Sequence, residues 1–323
     1  MTKPTSQCPW RMQVHHIVQE TPDVRTLALL CHEYYPYRPG QYALVSIGDT
    51  SETLRAYSLS STPGVSEYIT ITVRQIDGGV GSQWLTNEVK RGDDIWLSDA
   101  CGNFTCDDQN NDRFLLLAAG CGITPIMSMR RWLAKYRPQA DVQVIFSVRT
   151  PQDVIFSAEW RDYPVTLLAE NNASLGFISG RLTRQRLAAV ADIATRTVMT
   201  CGPAPYMAQV ESMVKSLGVK HLLKEVFFAP TVTAAATHVM KITRLHPPRE
   251  FFTATGSTLL EAMESNLLPV NTACRAGVCG CCKTKISSGD YRVTSTMTLS
   301  EQEIAQGYVL ACSCYPQSDL VLA

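Results

Sequence analysis

Residues 274–282 read CRAGVCGCC, and Cys312 follows 30 positions after Cys282. Cys274, Cys279 and Cys282 stand in a C-x4-C-x2-C frame, and with Cys312 they make the spacing of a plant-type [2Fe–2S] centre. A two-iron cluster needs four thiolates. One glycine-containing turn supplies three, and the fourth arrives from a distant segment. Gly277 and Gly280 allow backbone N–H groups to approach the cluster sulfurs with no Cβ in the way. Structural zinc also takes four thiolates, but through paired C-x2–4-C knuckles. Here one arm is longer, and the fourth ligand stands apart in LACSC (310–314). Cys274, Cys279, Cys282 and Cys312 are therefore the expected metal ligands, and Cys281 and Cys314 are bystanders. Spacing alone leaves the third ligand open between Cys281 and Cys282.

The chain around this loop has 323 residues, too many for one ordinary domain. Hydrophobic residues make up 45% and charged residues 18%, enough apolar side chains for several cores. Lys+Arg and Asp+Glu both count 29, so no global field favours nucleic acid or an anionic membrane. The opening MTKPTSQCPWRMQ holds no apolar run of signal-peptide type, and Phe114–Ala119 is far short of a membrane span. A cytoplasmic location is expected. In that reducing compartment a tight group of the 12 cysteines points to metal or redox work rather than disulfides.

The first hundred residues alternate apolar and polar positions in short runs such as 12–18, 24–30, 41–47 and 68–74, broken by Gly, Pro and Asp. That pattern predicts an antiparallel barrel or sandwich, with a short helix over 84–89. From Phe114 strands (114–119, 142–148, 165–169, 198–201) alternate with helices, the first over 126–136, which implies a parallel sheet covered on both faces. APTVTAAAT (229–237) reads as a linker. Beyond it, 238–245 and 250–255 resemble a hairpin, and Ser257 is placed to cap a helix over 258–266. The expected domains are 1–110, 111–228 and 238–323, joined by 229–237.

Two further segments carry chemistry. In Arg55-Ala56-Tyr57-Ser58 the guanidinium can pair with a pyrophosphate, the phenol ring can lie on isoalloxazine, and the hydroxyl can reach flavin N5. Gly78-Gly79-Val80-Gly81-Ser82 then leads into the expected helix at Trp84, whose N-terminus suits a phosphate. Gly120-Cys121-Gly122-Ile123-Thr124-Pro125 follows an apolar strand and opens a helix, as a dinucleotide turn does. Cys201-Gly202-Pro203 ends another strand, where open parallel sheets bind ligands. Read alone, each short motif also fits an ordinary loop or a core thiol.

In this order, R-x-Y-S, G-x-G-x-x-P, C-G-P and C-x4-C-x2-C resemble the ferredoxin–NADP reductase superfamily. The resemblance is to its three-domain members with a C-terminal ferredoxin domain, and it covers essentially the whole chain. It implies a multidomain fold: an antiparallel β-barrel for flavin, an α/β parallel sheet for nucleotide, and an α+β β-grasp ferredoxin-like domain. It implies that Arg55, Tyr57, Ser58, Gly81 and Ser82 hold the flavin, and that Gly120, Gly122, Thr124, Cys201 and Gly202 receive the nucleotide. Ser58, Cys201 and Glu225 would stand at the reacting centre, with Phe227 or Phe228 over the flavin ring. It favours FAD over FMN. It also favours NADH over NADPH, which Asp153 supports and Arg149 opposes. The activity implied is NADH oxidation, with electrons passing through flavin and cluster to a partner redox protein. The acceptor implied by the full-length likeness is the hybrid-cluster protein of nitric oxide and nitrogen-stress metabolism. A reductase component for an aromatic-ring oxygenase or hydroxylase would share every motif. A redox sensor is the reading from another class, and the lack of a DNA-reading module weighs against it.

Overall fold

The computed structural model describes residues 4–48, 53–227, 239–275 and 277–323. These fall into two compact units, Met1–Glu52 with Tyr57–Phe228 and Thr53–Ala56 with Ala229–Ala323.

The N-terminal runs become β1 (Trp10–Thr21), β2 (Val24–Cys31), β3 (Tyr42–Ser46), β4 (Leu54–Ser58), β5 (Ile69–Arg74) and β6 (Asp94–Leu97), in the order β4-β3-β6-β1-β2-β5. The pairings β1–β2, β1–β6, β2–β5 and β3–β6 are antiparallel. A bridge from Leu59 to Ile71 and a 2.8 Å bond from Ser60 N–H to Thr70 O join the two ends, so the sheet closes as a barrel. Met12, Val14, Leu27, Leu29, Ile71 and Leu97 fill its interior. Between β5 and β6 lie helix α1 (Val80–Gln83) and a π-turn over Trp84–Glu88. Gly81 and Ser82 thus sit inside the first helical turn rather than in a loop ahead of it.

The second sheet is parallel throughout: β7 (Arg113–Ala119), β8 (Asp141–Val148), β9 (Thr166–Ala169), β10 (Phe177–Ser179), β11 (Thr197–Pro203) and β12 (His221–Phe227), ordered β10-β9-β8-β7-β11-β12. Strand β7 shows why its sequence is unbroken apolar. Phe114, Leu116 and Ala118 enter the core on one face, and Leu115 and Leu117 enter the core on the other. Helices α2 (Ile123–Tyr136), α3 (Arg184–Ala188) and α4 (Ala204–Ser216) accompany it. The chain winds one way from β7 to β10 and then returns to β11 on the other side of β7. This creates a switch point at the β7/β11 strand ends. Helix α2 starts three residues before the expected 126, because the glycine turn runs straight into it and carries Pro125 in its first turn. Strands β10 and β12 and helix α3 are elements that periodicity did not single out. The barrel and this sheet pack as one body. Val24, Phe104 and Cys106 share a core with α2. Arg131 Nη1 donates to Ser60 O at 2.6 Å, and Thr62 Oγ1 to Ser128 O at 3.0 Å.

In the second unit β13 (Val239–Arg244), β14 (Arg249–Ala254), β15 (Lys283–Ser288), β17 (Tyr308–Leu310) and β19 (Leu320–Leu322) form a sheet ordered β14-β13-β19-β15-β17. β16 (Tyr291–Val293) pairs with β18 (Cys314–Pro316). The hairpin β13–β14, the parallel pair β13–β19 and the crossing helix α5 (Leu259–Ser265) give the expected β-grasp layout, with α6 (Glu301–Ala305) at its side. The cap of α5 is Thr258, not Ser257. Thr258 accepts from Glu261 N–H while Glu261 accepts from Thr258 N–H, and a Ser257 cap would have put Leu260 at the answering position. Leu259, Leu260, Met263, Ile286, Leu310 and Leu322 build a core separate from those of the first unit. The linker reading at 229–237 and Phe228 lie outside the described residues.

Candidate functional site: a flavin and nucleotide centre and a thiol quartet

Strand β4 carries Arg55 and Tyr57 half-buried and Ser58 buried. Ser58 Oγ donates to Glu225 Oε2 at 3.4 Å, and Glu225 on β12 is the register partner of Cys201 on β11. The three residues expected at the reacting centre are therefore brought together from barrel and parallel sheet, and all three are buried. Burial pushes the Glu225 carboxyl up to about 8, with the Ser58 hydrogen bond working the other way. Burial, then Glu225, also holds the Cys201 thiol well above its ordinary range, so it stays a neutral thiol. A neutral acid, a hydroxyl and a neutral thiol suit the approach of two uncharged rings. Ser82 Oγ accepts from Ile76 N–H and donates to Gly79 O, both at 3.1 Å, so this hydroxyl closes the glycine loop itself. Of Phe227 only its backbone place at the end of β12 is described.

At the nucleotide turn Gly120 has φ +53°, and a Cβ on Gly122 would lie 2.1 Å from Cys201 O. Only glycine lets the α2 turn sit against β11. Thr124 Oγ1 donates to Cys121 O at 2.9 Å and fastens the turn. Gly202 holds Tyr206 and Ala119 close by, with a Cβ there 3.0 Å from Tyr206 Cδ1 and 3.1 Å from Ala119 Cβ. Asp153 is engaged locally: its Oδ2 accepts from both the N–H and the hydroxyl of Thr150 at 2.9 Å.

One residue escaped the sequence reading. Arg74, at the end of β5, puts Nη1 3.7 Å from where a Gly120 Cβ would stand. Its Nε is 3.2 Å from Asp23 Oδ2 in an ion pair without hydrogen-bond geometry, and its buried Nη2 has no hydrogen-bond acceptor. The available signal was an arginine ending the strand just before the GGVGS loop. The hydroxyls of Ser147, at the end of β8, and Tyr206, at the start of α4, are also buried. They face each other without a well-formed hydrogen bond. Unmatched polar groups around the β7, β8 and β11 ends, with glycines at the turns, fit a ligand rich in phosphate and hydroxyl groups.

In the second unit Cys274, Cys282 and Cys312 are buried and Cys279 is half-buried. Cys282 Sγ lies 3.3 Å from Cys312 Sγ, and Cys279 interacts with Cys274. Backbone N–H groups aim at these sulfurs: Gly277 to Cys312 at 3.1 Å, Val278 to Cys274 and Cys312 to Cys282 at 3.5 Å each. Gly277 and Gly280, at φ +70° and +77°, make the loop possible. Among the described residues no three His, Cys, Asp or Glu side chains surround a single ion position. Cys312 also interacts with Cys274, so the four thiols form one connected group, which fits a two-iron cluster that takes two thiolates per iron. The Cys314 thiol, in the core on β18, is pushed up to about 12 by burial.

Three family models match the chain in order: an oxidoreductase FAD-binding domain over residues 11–106, an oxidoreductase NAD-binding domain over 116–212, and a 2Fe-2S iron-sulfur cluster binding domain over 244–317. NADH oxidoreductase HCR of Escherichia coli is 72% identical over 323 residues, 100% of both chains. The chain belongs to the ferredoxin–NADP reductase superfamily. As such a reductase it is an NADH oxidoreductase, carrying electrons from NADH through FAD to a [2Fe–2S] centre. Among other superfamily members, the ferredoxin reductase component of the 3-ketosteroid-9-alpha-monooxygenase of Mycolicibacterium smegmatis is 30% identical, covering 96% of this chain and 95% of that one. The glycine betaine monooxygenase reductase subunit of Pseudomonas aeruginosa is 28% identical, over 95% and 93%. The solved phthalate dioxygenase reductase shares the fold with TM-score 0.69 at 22% identity, over 97% of each chain. No helix among the described residues is long and apolar enough to cross a membrane.

Proposed function

We propose that this reductase delivers its electrons to the hybrid-cluster protein, in the cytoplasm. The observation that carries the acceptor is the likeness along the entire chain to NADH oxidoreductase HCR. Domain limits of 1–110, 111–228 and 238–323 about a 229–237 linker accompany this reading. When bound, FAD takes two electrons from NADH and releases them singly to the [2Fe–2S] cluster. The chain's own residues do the holding. Arg55 neutralises flavin phosphate, Tyr57 lies against the ring, and the turn bearing Gly81 and Ser82 supports the phosphates. Gly120, Gly122, Thr124 and Gly202, with Arg74, receive the nucleotide, while Cys201, Ser58 and the neutral Glu225 line the meeting point of the two rings. Phe227 or Phe228 covers the ring until nicotinamide arrives. Cys274, Cys279, Cys282 and Cys312 ligate the cluster. The second reading, a reductase for an oxygenase, is favoured by the names of the relatives near 30% identity.

Anaerobic NADH titration, followed by flavin absorbance and low-temperature EPR, tests the scheme. Flavin should bleach, a reduced [2Fe–2S] signal should appear, and oxidised hybrid-cluster protein should erase it. Cys282→Ser should lose the cluster signal and keep flavin bleaching. A reduced cluster indifferent to the hybrid-cluster protein would move the acceptor to an oxygenase component.

A further inference from the structure

Tyr206, in the first turn of α4, lies at the switch point of the parallel sheet. A Cβ on Gly202 would stand 3.0 Å from Tyr206 Cδ1 and 3.1 Å from Ala119 Cβ, so the ring packs against the ends of β11 and β7. Ser147, at the end of β8, is the register partner of Ala119, and the Tyr206 hydroxyl reaches across to the Ser147 hydroxyl. Both oxygens are buried, and neither makes a hydrogen bond of good geometry with any described residue. Two hydroxyls free to turn would close to ordinary geometry if tying α4 to β8 were their task. Buried polar groups left short of partners call for a donor or acceptor from elsewhere.

The reacting centre fixes which part of a dinucleotide comes here. Cys201 and its register partner Glu225 mark the nicotinamide end, on β11 and β12. The glycine turn after β7, with Arg74 beside Gly120, takes the diphosphate. The strand order β8-β7-β11-β12 puts Ser147 one strand beyond β7, on the side away from Cys201. Neighbouring strands stand about 4.8 Å apart, so a dinucleotide laid from Cys201 across the turn brings its second nucleoside to the end of β8. Two uncharged hydroxyls, each able to donate and accept, match the diol of a ribose rather than a phosphate.

We propose that Ser147 and Tyr206 form a clasp for the adenosine-side ribose of NADH, a role that rests on the nucleotide site proposed above. The ribose replaces their poor mutual contact: each hydroxyl leaves the other and hydrogen-bonds the diol. The clasp holds the half of NADH that does not react.

The test uses the full-length holoprotein. Tyr206→Phe removes one oxygen and keeps the ring. It should weaken ADP-ribose binding, read by calorimetry, about fivefold, the usual order for one neutral hydrogen bond. Ser147→Ala should act in the same direction and by a similar factor. Reduced nicotinamide mononucleotide lacks the adenosine half. The ratio of kcat/KM for NADH to kcat/KM for the mononucleotide should therefore fall about fivefold in Tyr206→Phe. A mere shift of α4 against β11 would act through Cys201, slow both donors alike and leave the ratio where it was. Unchanged ADP-ribose affinity in both variants, or an unchanged ratio, would overturn the clasp while NADH still bleaches the wild-type flavin. Wild-type flavin that NADH does not bleach would overturn the nucleotide site itself.

Discussion

Glu225 shows what burial does to a single side chain. Its carboxyl is raised from 4.5 to about 8, chiefly by desolvation, and Ser58 offsets only part of that rise. In the unfolded chain the group ionises near its ordinary value. Below about pH 4.5 both states hold the proton and burial carries no electrostatic penalty. As pH rises towards 8 the unfolded state sheds the proton that the native state keeps, so native stability falls across that window and then levels. Glu225→Gln should remove this slope. Its melting temperature relative to wild type should climb between about pH 5 and 8 and then stay flat, and a difference independent of pH would contradict a buried neutral acid. The residue types at 55–58 and 201 were legible from their chemistry, and Glu225 from family resemblance alone. Arg74 was not, because its meaning depends on Gly120 standing beside it, 46 residues along the chain.

At the scale of elements, the G-x-G-x-x-P turn is the tightest joint in the nucleotide sheet. Gly122→Ala would drive a Cβ to 2.1 Å from Cys201 O and push β11 away from α2. We expect a stability loss of about 1–3 kcal/mol from overpacking. NADH reduction of flavin, measured by stopped flow, should slow by at least about tenfold, because the same shift moves Cys201. Flavin reduction at the wild-type rate would mean that the turn does not set the nucleotide's place. Strong apolar runs were read correctly as strands because β7 and β8 are buried on both faces. Short elements escaped: β10 has three residues and α3 five, and neither length carries a recognisable period. The α5 cap was misplaced by one residue although its capping box, Thr258 with Glu261, stood in the sequence.

Over the whole molecule, the apolar cores divide between the two units. Among the described residues three serve the barrel and parallel sheet, and one serves the β-grasp sheet and its cysteine loop. A chain ending at 227 should therefore keep flavin and still be bleached by NADH, while losing every electron transfer to a protein acceptor. Failure of that fragment to retain flavin would show that the last 84 described residues support the barrel. The ferredoxin-like fold of the last unit came from family resemblance. Local spacing and periodicity determined a cysteine loop of iron–sulfur type (with Cys281 and Cys282 both open as its third ligand), an antiparallel barrel or sandwich followed by a parallel sheet, and the glycine turns. Each of these is a short-range demand of chemistry or backbone on consecutive residues. Only the tertiary structure decided the rest. It put Ser58, Cys201 and Glu225 at one point and gathered the four thiols into one group. Those arrangements follow from closure of the barrel and the crossing order of strands, which bring together residues that no local pattern relates.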